Sequence, residues 1–337
     1  MSKAVSRSLH VALSVAIIGG LVLFARKVNW SETWDHITQA NRATLVAAAV
    51  VNLLSLVVKS LRWWVFLRPA GAPSLWLAVR ATFAGAGLNN ILVANGGEAA
   101  RVVFVARSAH VPSARVLASL ALERLFELIG YVVMFVLVVS FLELPPGLKY
   151  ARPVAWVALV IAVILMVYLV RRPHLDEIRM PETNAHGWGG RLREYLRHFG
   201  AAVGGISTTP RFIAALGLSL ANVGMQVWTY ALTARAADFH LSLVGTVAAL
   251  LAVNLGFAIR ATPGNVGVFQ ALYALVATAF GMDRNQALAV AFLIQTQQII
   301  PVTLLGVALA PEFIFRRRGR RASDSGLDLR SRAEDLA

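Results

Sequence analysis

The stretch 85–101 reads GAGLNNILVANGGEAAR and sets Asn89, Asn90, Asn95, the pair Gly96 and Gly97, Glu98 and Arg101 between long apolar runs. Apolar sequence on both sides puts this break at membrane depth. A bilayer penalises ionisable side chains and unpaired backbone alike, so such a segment survives only where protein or a water-filled cavity surrounds it. The stretch forces a choice. One continuous span over 75–115 sends Arg101, Arg107, Arg115 and the later basic loop to the outer face, whereas a hairpin that comes in from the cytoplasm, breaks near 89–97 and returns keeps them inside. Positive-inside statistics favour the hairpin. Gly96 and Gly97 supply freedom for the reversal, and the Asn amides can satisfy backbone groups freed there.

Composition agrees with a membrane chain. With 58% hydrophobic and 15% charged residues and a mean hydropathy of +0.65, a soluble globular domain is excluded, because several runs approach the roughly 20 residues that span a hydrocarbon core. The runs are continuous, where a transmembrane β-barrel alternates over roughly 10-residue segments. The fold class is therefore all-α and polytopic. A net charge of +15 raises nucleic acid as a partner, but Lys and Arg lie mostly between apolar runs, where they orient a membrane protein and meet anionic headgroups. No nucleic-acid partner is expected. The chain has no Cys, its seven His show no metal spacing, and Gly264 to Gly267 lacks the flanking strand and Lys-Ser/Thr of a phosphate loop. Neither metal, cofactor nor catalytic residue is expected.

In order, the apolar runs 9–25, 43–58, 116–141, 154–170, 212–237 and 287–309 read as spans. The first resembles a signal-peptide core, but Phe24-Ala25-Arg26 lacks a small-x-small cleavage pattern, so it reads as an uncleaved helix. The linker 26–42 carries Trp30 and Trp34 and is interfacial in composition. Lys59, Arg62 and Arg68 around Trp63, Trp64 and Phe66 read as a basic, aromatic belt on the cytoplasmic face; Trp63, Trp64, Trp76 and Trp156 read as interface anchors. Pro145-Pro146-Gly147 makes an outer turn. In the basic loop 171–211, Trp188, Leu192, Tyr195, Leu196 and Phe199 recur at helical spacing, as in a helix lying on the inner leaflet or one packed on the protein. Arg316, Arg317, Arg318, Arg320 and Arg321 keep the C-terminus inside, and the polar end of the chain reads as disordered. With both termini cytoplasmic, the crossings close only if 243–280, interrupted by RATPGNVGVFQ at 260–270, is a second hairpin coming from outside.

The expected architecture is about six full spans and two re-entrant hairpins, with repeats at 43–142 and 211–310 inside a domain 1–311 and a tail 312–337. An offset of about 171 residues sets VANGGEAARV against TPGNVGVFQA, and the span with Glu123, Arg124 and Glu127 against the one with Gln295, Gln297 and Gln298. Broken helices of opposite orientation that meet near the midplane are a known transporter plan. Glu98 and Arg101, three apart, and Glu123 and Glu127, four apart, each share a helix face. That spacing lets Glu98 pair with Arg101 and Arg124 reach a carboxylate on the first hairpin, either as structural ion pairs or as a headgroup site. Arg260 has no acid nearby and sits beside a Pro-Gly break, which suggests a phosphate ligand next to a helix N-terminus; snorkelling to the interface is the alternative. Asn89, Asn90, Asn95, Gly96, Gly97, Pro263, Gly264, Asn265, Gly267, Gln270, Gln295 and Gln298 complete the expected polar centre.

NNILVANGGEAAR, ALERLFELIG, ATPGNVGVFQAL and IIPVTLLGV together resemble the flippase-like transmembrane family typified by the membrane half of lysylphosphatidylglycerol synthases, over residues 9–309. The resemblance implies a multi-pass protein of a bacterial inner membrane that moves a phospholipid, aminoacyl-phospholipid, hopanoid or polyprenyl or glycolipid between leaflets. It carries over at Asn90, Gly96, Gly97, Glu98 and Arg101, at Glu123 and Arg124, and at Pro263, Gly264 and Gly267. Many members have Glu where this chain has Gln270, and the soluble aminoacyl-transfer domain of full synthases is absent, so lysyl transfer by this chain is not expected. The expected partners are membrane lipids, a separate lipid-synthesising enzyme and a second copy of the chain. Two other readings stay open: a membrane-embedded transferase with Glu98 or Glu123 as general base, and a non-catalytic subunit that recruits a synthase.

Overall fold

The computed structural model describes residues 26, 28–91, 96–142, 150–171, 209–256 and 263–310, and every regular element among them is helical. In chain order these are α1 (Trp30–Gln39), α2 (Arg42–Leu67), α3 (Leu75–Ile91), α4 (Gly96–Ala109), α5 (Ser113–Phe141), α6 (Ala151–Arg171), α7 (Thr209–Ala236) and α8 (Leu243–Gly256). A 3-10 turn at Pro263–Asn265 leads into α9 (Val268–Ala279) and α10 (Arg284–Leu309). Local chemistry sets several of the starts. Asn29 accepts from the Glu32 amide, Asn41 from the Thr44 amide, and Asp283 from those of Asn285 and Gln286, each satisfying donors that a first helical turn leaves free.

Arg42–Leu67, Ser113–Phe141, Pro210–Ala236 and Arg284–Leu309 are long and apolar enough to cross a bilayer. α6 runs for 21 residues and includes the apolar stretch Arg152–Ala162. The expected span at 9–25, the amphipathic segment of the basic loop and the tail 312–337 lie outside the described residues.

The bundle is inverted relative to a water-soluble one. α2 exposes Val46, Val50, Leu54 and Val57 while burying Asn52, Ser55 and Arg62, and α10 exposes Ile300, Leu304 and Val307 while burying Gln295 and Gln297. Apolar side chains outside and hydrogen-bonding groups inside are the arrangement hydrocarbon demands of a helix bundle. The protein is a multi-pass membrane protein.

One boundary differs from the sequence reading. α2 continues past Val58 to Leu67, so Lys59, Arg62 and Trp63 belong to the bundle and not to a cytoplasmic belt; Arg62 and Trp63 are 0% exposed. Their charge and size resemble an interface anchor, but partners on other helices take them inside. Trp30, Trp34, Trp76 and Trp156 do stay exposed, as anchors should.

Over the two expected hairpins, α3 packs on α4 and α8 on α9. α2 packs along α7, α3 on α10, α8 on α5, α5 on α7 and α10 on α2. One apolar cluster sits among α2, α3, α4 and α5 around Trp63, Phe66, Phe104 and Phe126. The other joins α5, α7, α8, α9 and α10 around Tyr230, Leu250, Phe269, Tyr273 and Ile294. Inside α10, Pro301 cannot donate to the carbonyl four residues back. That carbonyl, of Gln297, instead accepts from Asn52 Nδ2 at 3.2 Å, so α2 repairs the break in α10.

The α3–α4 pair depends on the absence of side chains at its crossing. A Cβ added to Gly97 meets the carbonyl oxygen of Gly85 and comes within 2.8 Å of the Asn89 backbone. Gly97→Ala is therefore expected to destabilise the protein by about 1–3 kcal/mol through overpacking, whereas Gly217→Ala, with nothing within 4 Å, is neutral or stabilising by up to about 1 kcal/mol. Thermal unfolding of the two purified variants in detergent checks the contrast.

Candidate functional site

Three helices bring ionisable side chains together at one level of the bundle. α2 presents Lys59 and Arg62 one turn apart, α4 presents Glu98 and Arg101, and α5 presents Glu123, Arg124 and Glu127. A carboxylate buried in low dielectric needs cations and donors around it, and Glu123, fully buried, has them: Arg101 Nη2 donates to its Oε2 at 3.0 Å, while Arg62 Nη2 and Lys59 Nζ stand 3.8 and 3.9 Å from its Oε1. Glu127 accepts from Lys59 at 2.9 Å and from Arg124 Nη1 at 2.7 Å. Arg124 Nη2 pairs with Glu98. Among the described residues, four cations face three carboxylates, which leaves one positive charge in excess.

Neutral groups fix the two buried guanidiniums. Arg101 donates to Thr82 Oγ1 at 3.2 Å and lies 3.9 Å over the Trp63 ring, whose own Nε1 donates to Ser119 at 3.2 Å. Arg62 Nη1 donates to Ser219 of α7 at 3.0 Å. The expected Glu98–Arg101 pair is not made: each finds a partner on α5 instead, because Arg101 points into the α3–α4 crossing while Glu98 faces Arg124. The expectation that Arg124 reaches a carboxylate on the first hairpin holds.

A second polar group lies at the helix breaks. Gly264, Asn265 and Gly267 have φ of 60°, 58° and 90°, a left-handed series that Gly and Asn tolerate best. After it, Gly267 N–H donates to Gln270 Oε1 at 2.6 Å, Gln270 Nε2 to Gln295 Oε1, and Gln295 Nε2 to the Gly264 carbonyl at 2.9 Å. Three amides thus close the turn from Pro263 into α9. Asn265 is 3% exposed, and among the described residues neither amide atom of its side chain has a hydrogen-bond partner. In the first hairpin, Asn89 Oδ1 accepts from Gly97 N–H at 2.9 Å. Asn90 Nδ2 donates to the Gln298 carbonyl at 3.3 Å and to Thr303 Oγ1 at 3.1 Å. The end of α3 lies against the second break: a Cβ on Gly264 would lie 3.5 Å from the Asn90 carbonyl oxygen. Asn95 and Arg260 lie outside the described residues.

The sequence-expected residues therefore form two groups, an ionic one on α2, α4 and α5 and an amide one at the breaks. Sequence reasoning missed what joins them. Asn52, Ser55, Lys59 and Arg62 on α2, and Ser219, Asn222, Gln226, Thr229 and Thr233 on α7, recur three and four apart, so each set lines one helix face. Asn222 Nδ2 donates to the Ser55 carbonyl at 2.8 Å and Gln226 Nε2 to Asn222 Oδ1 at 2.8 Å. Tyr131 Oη lies 3.0 Å from Gln226 Oε1 and 3.1 Å from Asn254 Oδ1. That spacing was legible, but an apolar-run reading passes over single polar residues inside a span.

The ionic group can hold an anion or a hydroxyl by its guanidiniums, and the amide group can exchange neutral hydrogen bonds. The carboxylates serve both as counter-charges and as ties between helices. Glu123→Gln leaves buried cations short of a counter-charge and is expected to destabilise by about 3–5 kcal/mol. Arg124→Ala leaves Glu127 its Lys59 partner and removes the partner of Glu98 alone, so it is expected to cost less than Glu123→Gln. Thermal midpoints of the two variants in one detergent give the comparison.

Comparison with curated proteins finds no match. Residues 11–306 match the family described as lysylphosphatidylglycerol synthase TM region, which covers both hairpins, the ionic group and the α2–α7 seam. With its apolar helices this indicates a lipid-related function in the membrane, and the chain belongs to the lysylphosphatidylglycerol synthase TM region family.

Proposed function

We propose that the protein is a lipid flippase. A phospholipid, aminoacyl-phospholipid, hopanoid or polyprenyl or glycolipid places its headgroup in the polar interior while its chains stay in the bilayer. One observation carries this reading: the end of α3 packs against the Pro263–Asn265 turn inside the bundle, with the Asn90 carbonyl toward Gly264 and the Asn90 amide on α10. A broken helix held against a neighbouring helix end inside the bundle fits a midplane binding site in an inverted-repeat transporter, because irregular backbone at membrane depth is tolerated where protein or a water-filled cavity surrounds it. The counterpart pairings of α2 to α5 and α7 to α10 support reading the two halves as such repeats. Rocking of one half against the other then gives alternating access. In this reading the chain lies in a bacterial inner membrane with both termini cytoplasmic, performs no covalent step, and receives its lipid from a separate synthesising enzyme.

Glu98→Ala and Arg260→Ala are expected to abolish transfer of lipid between leaflets in proteoliposomes while leaving the protein monodisperse in detergent. Unchanged transfer in both variants overturns the assignment. Chemical turnover of a lipid by the purified protein in detergent, with no second leaflet present, would point to a transferase instead.

A further inference from the structure

The seam between α2 and α7 carries more polar groups than its cross-helix hydrogen bonds use. Ser55 donates to the Asn52 carbonyl, Ser219 to that of Ala215, Thr229 to that of Met225 and Thr233 to that of Thr229, all at 2.7–2.9 Å and all within their own helices. Direct bonds between α2 and α7 are few, from Asn222 to the Ser55 carbonyl and from Arg62 to Ser219. The neighbouring cluster among α7, α8, α9 and α10 is instead filled by apolar side chains such as Val247, Leu250, Leu288 and Val290. Hydroxyls turned back on their own helix add little to helix association. They can release that bond and offer it to a ligand without breaking the helix.

The seam also connects the two polar groups. At one end Arg62 and Lys59 belong to the ionic group. At the other, Asn52 and Thr233 meet Gln297 of α10, at its carbonyl and at Oε1, next to the Gln298 carbonyl that Asn90 holds, and among the described residues Gln297 Nε2 has no partner in its buried position. Past Lys59 toward Thr233 the lining residues are amides and hydroxyls. We propose that the α2–α7 seam is the headgroup's path between the ionic group and the helix breaks, opened when α2 parts from α7 and used by headgroups that offer hydroxyl or amide hydrogen bonds. It rests on the flippase reading.

The chain has no cysteine, so single thiols report without background. Ser55→Cys and Asn222→Cys are introduced separately into protein reconstituted in lipid vesicles and treated with a water-soluble, membrane-impermeant thiol reagent. Val290→Cys, on α10 in the apolar cluster and fully buried, is the closed reference. Both seam positions are expected to react more than about tenfold faster than position 290, because reaction follows the population of the opened seam. The double variant, bridged by a short cleavable bifunctional reagent, is expected to lose lipid transfer and regain it when the bridge is cut. Seam thiols that react no faster than position 290, or full transfer by the bridged protein, overturn the proposal. Ser55→Cys changes one atom and keeps the test standing if Asn222→Cys fails to fold. Fast reaction at both positions in a parent protein that transfers none of the lipids offered establishes the opening and overturns the flippase reading instead.

Discussion

The buried carboxylate of Glu123 is the interaction on which the first half of the protein depends. Inside hydrocarbon no water neutralises it, so α5 can pack there only with Arg101 from α4 and Arg62 and Lys59 from α2 around it. One charge thereby positions three helices. The arrangement also carries Trp63 beneath Arg101 and Ser219 beside Arg62, which ties the first half to α7. A site assembled this way cannot be separated from the fold: the residues that would greet a headgroup are those that hold the helices in place.

The second half meets the same constraint with neutral groups. Gln270 and Gln295 close the turn after the left-handed Gly264, Asn265 and Gly267, where the first half uses ion pairs. Neutral amides satisfy broken backbone at lower desolvation cost than charges do. Pro301 adds a second break in α10, and Asn52 and Asn90, from α2 and α3, donate to the carbonyls around it. The interior is therefore electrostatically lopsided, with charge at one end of the α2–α7 seam and hydrogen-bonding amides at the other.

Much of the fold was legible because the bilayer is a severe solvent. Continuous apolar runs are helices, and each of the two polar, glycine-rich interruptions lies between a pair of helices that pack on each other. The motif residues Gly97, Gly264, Gln270 and Gln295 were identifiable on the same ground. Lys59, Arg62 and Trp63 were misread as a belt, because a cation near the end of an apolar run looks the same whether it snorkels to headgroups or turns inward. The seam escaped notice because its polar residues are diluted among valines and leucines.

The sequence by itself determined the class, the hairpins and the residue types at the breaks, all of which follow from local hydrophobicity and from backbone freedom at glycine. Only the tertiary structure decided which charge meets which: Glu98 with Arg124 and not Arg101, Arg101 with Glu123, Asn52 with the carbonyl that Pro301 orphans. The physical reason is that ion pairs and buried hydrogen bonds are chosen by the packing of helices distant in the chain. The small glycine contact of α3 and α4, and the rotation of α2 that turns Lys59 and Arg62 inward, are invisible until those helices are side by side.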